Sequence, residues 1–173
     1  MRPRDALSIL LLLAMGLTGC RQRSAADTVQ IARFPVDSFD HLLTTSGVHL
    51  DNAVSSDGKG SLRIEAEKPV VVSLYEVTDI DVENTRLLYA AHLRTENLEG
   101  RAYLEMWLVF EDVGEFFSRG LADPLIGTVG WTRREIPFFL KTGENPDRVK
   151  LNLVVDGRGT VWIDDIVVSK SAD

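Results

Sequence analysis
The sequence holds little that catalysis or covalent cross-linking could use. One cysteine among 173 residues excludes a disulfide scaffold. Its three histidines, His41, His49 and His92, are scattered and lack the spacing of a metal site. There is no Gly-x-Ser-x-Gly elbow, no phosphate-binding glycine loop and no Cys–His pair, so the common hydrolase, nucleotide and thiol-enzyme constellations are missing. Carboxylates are numerous, but no pair stands out. Glu105 and Glu111, on one strand face, read as a solvated or ligand-bonding surface, and the chain reads as non-catalytic. Basic charge is scarce: 19 Lys and Arg against 26 Asp and Glu leave a net charge of −7. That balance argues against nucleic acid or anionic lipid as the main partner. What the chain does have is a 45% hydrophobic fraction. That is ample for one domain whose core buries about 70% of the unfolded surface.

The single cysteine has a specific place. Met1–Arg4 is short and basic, and Ala6–Leu17 carries no charge and is dominated by leucine. As a helix this run would rise only about 18 Å, too short for a ~30 Å hydrocarbon core. Basic, apolar and small-residue regions in this order read as a secretory signal over residues 1–19. Its end, Leu17-Thr18-Gly19-Cys20, resembles a bacterial lipobox. The resemblance implies cleavage before Cys20, a thioether-linked diacylglycerol on its sulfur and acylation of the new amine. It therefore implies a lipoprotein whose partner is the membrane. Arg21 follows where an aspartate would favour retention at the inner membrane, so the outer membrane is favoured if the envelope is Gram-negative. Residues 20–28, polar and small, read as a tether between lipid and domain.

Beyond the tether, short β-rich runs recur between clusters of Gly, Asp, Asn and Pro, with no convincing helical period. The expected strands are 29–34, 61–66, 70–77, 86–95, 101–111, 131–139, 148–155 and 160–168. Eight strands with irregular connections predict an all-β antiparallel sandwich of the jelly-roll type over residues 29–170. Residues 112–130 are expected to form a short helix or a loop over one end.

Alternation assigns faces. Ala102, Leu104, Met106, Leu108 and Phe110 point to the core, leaving Tyr103, Glu105, Trp107, Val109 and Glu111 outside. Leu87, Tyr89, Ala91 and Leu93 likewise point inward, leaving His92 and Arg94 out. If residues 96–100 close a hairpin, Arg94 lies opposite Tyr103 and His92 opposite Glu105. One outer face would then gather Trp107, Tyr103, Glu105, His92 and Arg94, joined by Asn152 and Lys150 from a neighbouring strand. An aromatic ring among such polar groups suits a sugar, whose apolar face stacks while hydroxyls are bonded. A second layer covering Trp107 would instead leave a structural or protein-interaction module of the envelope.

Gly58-Lys-Gly-Ser-Leu-Arg-Ile64 together with Gly159-Thr-Val-Trp-Ile-Asp-Asp-Ile-Val-Val168 resembles the galactose-binding-like jelly roll of carbohydrate-binding modules. Residues 89–104 resemble the central hairpin of that fold, and Gly130-Trp131 ahead of Glu135-Ile-Pro137 resembles its penultimate region. The resemblance implies a glycan ligand and, in several modules, a structural calcium at the sandwich edge. Carried over, Asp164 or Asp165 would be the final-strand ligand, Lys59 would give a carbonyl, and Asp37 or Asp40 would be the early acid. Oxygen donors of this kind suit calcium.

Overall fold
A computed structural model describes residues 28–172; the leader and Cys20 lie outside them. Eight strands follow one another: β1 (Thr28–Phe34), β2 (Val48–Asp51), β3 (Ser61–Ala66), β4 (Val70–Thr78), β5 (Thr85–Phe110), β6 (Gly114–Arg119), β7 (Leu125–Phe139) and β8 (Arg148–Ala172). Every pairing between them is antiparallel, and among the described residues there is no helix. The all-β jelly-roll sandwich is therefore the fold, built as follows.

β5 and β8 form one long ribbon, paired from Thr85↔Ala172 to Val109↔Arg148. The ribbon bends where register is lost between Glu96 and Glu99. Asn97 (φ 51°) and Gly100 (φ 111°) sit there on one strand, and Gly159 (φ 140°) sits on the other. The corner demands glycine for space as well as for φ. A Cβ on Gly100 would collide with the Asp156 carbonyl, and one on Gly159 would come within 2.7 Å of the Asn97 carbonyl.

On one side of the bend, β3 and β1 share an edge of β8, β2 adds to β3, and β7 lies beyond β5. This is the first sheet. On the other side β4 pairs with β8 and β6 with β5, making the second sheet. The bend folds the sheets face to face. Tyr89 of the first sheet donates its hydroxyl to the Asn152 carbonyl of the second, and the Phe34 and Tyr75 rings stack at 4.0 Å. Between the sheets lie Leu62, Ile64, Leu87, Tyr89, Ala91, Leu93, Val161 and Ile163 from one side. Ala102, Leu104, Met106, Leu108, Val149, Leu151, Leu153 and Val155 come from the other, so the inward faces read from alternation are the inward faces observed.

Three expectations are corrected. Residues 96–100 do not close a hairpin. The chain turns a corner there and continues, because β8 runs alongside and supplies partners on both sides of the bend. The separate strands expected at 86–95 and 101–111, and at 148–155 and 160–168, are accordingly two long ones. Residues 112–130 are neither helix nor plain loop. They hold β6, reached by a tight turn in which Val113 N–H bonds the Phe110 carbonyl, and the start of β7.

Candidate functional site
The outward face of the second sheet is read strand by strand from the register. One row is Ser73–Asn152–Glu105–Arg119 and the next is Glu76–Lys150–Trp107–Phe117; Val71–Val154–Tyr103 flanks them. Glu105 is the centre. Although it points away from the core, it is only 4% exposed, because long side chains close over it. Its Oε1 accepts Trp107 Nε1–H at 2.8 Å and Asn152 Nδ2–H at 3.0 Å. Its Oε2 accepts Arg119 Nε–H at 2.5 Å. Burial pushes the carboxyl upward, but the three hydrogen bonds from Asn152, Trp107 and Arg119 and the guanidinium charge win. Glu105 is held below the usual carboxylate range.

Around this carboxylate the aromatics are arranged in steps. Trp107 is half-buried and its ring lies 4.9 Å from Phe117 at 46°. Phe117 is 50% exposed, and Arg119 Cζ sits 4.3 Å from its ring centre, a cation–π contact that leaves the guanidinium partly wet. Lys150 reaches from the Trp107 row to Glu115 at 2.9 Å. Beside Arg119 and Tyr103 a cleft of about 180 Å³ opens between Gly120 and the β7 residues Arg133–Pro137. The surface thus offers apolar rings, a carboxylate fixed as an anion, and guanidinium, amide and ammonium donors within three adjacent strands. Such a set can bond polyhydroxyl compounds.

Of the residues expected to act together, the fold unites Tyr103, Glu105, Trp107, Asn152 and Lys150. It removes His92 and Arg94. They belong to β5 before the corner, where His92 faces Asp164 and Arg94 faces Trp162, on the outer face of the opposite sheet. Arg119 and Phe117 were not foreseen, because residues 112–130 were not read as strand. The signal was present: Gly114 after a short polar turn, then Glu115, Phe117 and Arg119 alternating with Phe116 and Ser118.

The acids expected at a calcium site are placed as follows. Among the described residues no three of His, Cys, Asp and Glu come together. Asp164, fully buried, accepts Ser56 N–H and Oγ–H on Oδ2, each at 2.7 Å, and Asp165 N–H on Oδ1. Asp165 already has a cation, Arg33, at 2.7 Å. Asp40 accepts Ser38 Oγ–H, Asp37 packs against Gly60, and Lys59 pairs with Asp57. Asp164, Asp165 and Asp40 thus each have a donor or a cation within the protein.

The chain matches no family model and no curated protein. Its likeness is to solved structures. One is the CBM22-1 xylan-binding domain of Paenibacillus barcinonensis Xyn10C, with a TM-score of 0.56 at 13% identity, covering 86% of this chain and 97% of that one. Another is the tandem CBM22-1–CBM22-2 domain of the same enzyme, with a TM-score of 0.62 at 11% identity. This chain spans 47% of that pair's length. A family 16 carbohydrate-binding module gives a TM-score of 0.51 at 13% identity, over 70% of this chain and 84% of that one. At such identities the likeness is one of fold: the chain has the jelly-roll sandwich seen in carbohydrate-binding modules.

Proposed function
We propose that this is a lipid-anchored, non-catalytic protein of the cell envelope whose jelly roll binds a glycan on the outer face of the second sheet. The observation that carries the binding reading is the Glu105 network. Three donors from three strands hold one outward-facing carboxylate rigid and ionised beside the Trp107–Phe117 pair. A rigid polar centre with aromatic rings at its margin recognises hydroxyls without having to order itself on binding. The neighbours add weight to the ligand class, one of them being described as a xylan-binding domain. Lipid anchoring rests on the Leu17–Cys20 sequence alone, and the membrane is then the standing partner. With two or three acyl chains the attachment would be durable.

The test is affinity electrophoresis of the full chain in gels containing neutral polysaccharides, xylan first, with Trp107→Ala and Phe117→Ala beside the parent. The parent is expected to be retarded and both variants released. A parent that no glycan retards, or retardation untouched by both substitutions, overturns the glycan reading. It would favour the alternative, a structural or protein-interaction module on the same fold.

A further inference from the structure
The corner that removed His92 and Arg94 from the first site places them in a second constellation. Across the outer face of the first sheet one row reads His49–Arg63–Trp162–Arg94, on β2, β3, β8 and β5. The two arginines flank Trp162 from neighbouring strands, so their Cα atoms stand about 10 Å apart. Arg94 lies over the indole, its Cζ 5.3 Å from the ring. Trp162 is only 4% exposed and donates Nε1–H to Asp51 at 2.9 Å. Its ring is therefore a floor under the guanidinium, not a platform for a ligand.

Several donors on this face lack hydrogen bonds, although His92 Nδ1 stands 3.8 Å from Asp165 Oδ2. Arg94 has no acid and no hydrogen-bond acceptor among the described residues. Five buried side-chain polar atoms lack a partner there, and three of them, Arg63 Nε, His92 Nδ1 and Arg94 Nε, belong to this one face. Native proteins pair such groups or give them to something bound. The acids nearby are already engaged: Asp51 by Trp162, Asp164 by Ser56 and Asp165 by Arg33. Glu65 holds Arg63 at 3.0 Å in an exposed pair, which is worth little and is readily exchanged. Among the described residues Arg94 is thus the cation of this face left without an acid, while Arg63, His92 and Arg33 each have one.

We propose that this face is a second binding site that takes the carboxylates of an acidic, uronate-bearing glycan, with Arg94 as its anchor and Arg63 as its second contact. The choice of a glycan carboxylate rests on the reading that this domain binds glycans; the site itself does not share the first site's residues. A planar guanidinium matches a carboxylate in a two-point fork. Two such positions on either side of Trp162 fit a ligand with more than one negative group better than a single small anion. The protein's two faces would then differ in kind, a neutral hydroxyl-binding surface on one sheet and an anion-binding surface on the other.

The experiment is isothermal titration of the full chain with trigalacturonate and, separately, with xylohexaose, at low and at 0.5 M NaCl. The parent is expected to bind trigalacturonate, and binding should weaken at least tenfold at the higher salt. Arg94→Gln should weaken it at least tenfold, Arg94→Lys less, and Trp107→Ala should leave it within twofold. Arg63→Gln, in a strand at the far side of Trp162, repeats the test should Arg94→Gln unfold. Absence of trigalacturonate binding by the parent overturns the proposal, as does binding that survives both arginine substitutions. Loss with Trp107→Ala rather than Arg94→Gln also overturns it, by placing the acidic ligand on the other sheet. Xylohexaose binding reports on the first site alone, so either reading can fail without the other.

Discussion

Glu105→Gln is the sharpest probe of the second sheet's outer face, because it changes charge and hydrogen-bond type and hardly changes volume. In the parent one carboxylate oxygen accepts two donors, from Trp107 and Asn152, and the other accepts Arg119. A glutamine keeps one acceptor oxygen and turns the other atom into an NH₂ donor. Its better orientation leaves the oxygen to Trp107 and Asn152 and points the NH₂ at Arg119 Nε–H, donor against donor. One charge-assisted hydrogen bond is lost, so the variant should be about 2 kcal/mol less stable at pH 7. In a domain of this size that is a fall in melting temperature of about 4–8 °C. The pH dependence has a sign. The folded-state pKa of Glu105 is depressed, so its ionised form contributes stability that is complete above the unfolded pKa of about 4.3. That contribution is lost as pH falls through the lower folded value. The stability gap between parent and Glu105→Gln, measured by urea unfolding, should therefore be constant from pH 7 to about 5 and close below that. A gap under about 0.5 kcal/mol at pH 7, within the range of an ordinary surface substitution, would refute the central role given to this carboxylate. A gap that does not change with pH would refute the electrostatic part of the reasoning.

Gly100→Ala puts a Cβ into the Asp156 carbonyl at φ 111° and should cost at least about 2 kcal/mol. Gly130→Ala, with open space around it and no left-handed φ, should stay within about 0.5 kcal/mol on the same urea curves. Cys20→Ser should move the protein out of the membrane fraction of cells or leave its leader uncleaved; membrane partitioning equal to the parent's would contradict the lipobox reading. A structural calcium at the sandwich edge is a proposal that thermal melts with calcium and with chelator test: a rise of several degrees with calcium supports it, and superimposed curves remove it.

The inward faces were legible in the sequence because burial leaves a period of two. Ala102, Leu104, Met106 and Leu108 alternate with polar or aromatic residues whichever strand lies next to them. The corner was not legible. Glu96-Asn97-Leu98-Glu99-Gly100 has the composition of a tight turn, and nothing local separates reversal of the chain from a bend. The deciding partner is Asp156–Gly159, some sixty residues away, whose own glycines admit the close approach of the two backbones. Turn chemistry is local, whereas pairing is not. β6 was missed for a related reason. Its phenylalanines alternate correctly, but an edge strand with both faces largely exposed has no apolar stripe to mark it.

The same corner explains why one strand serves two chemistries. Along β5 the outward positions before the bend carry His92 and Arg94, and those after it carry Tyr103, Glu105 and Trp107. In a hairpin these groups would face one another, and Glu105 would have neutralised the cations of its own neighbour strand. Around a corner they are carried to opposite surfaces, with two sheets about 10 Å apart between them. Glu105 must then find its counter-charge elsewhere, and it does so in Arg119 of β6. Among the described residues Arg94 finds none, and rests on Trp162. The unpaired arginine and the buried carboxylate are two consequences of a single backbone decision. A one-residue deletion between Glu96 and Gly100 should disturb both: it breaks the register with β8 on one side of the bend and turns the outward set of that side toward the core.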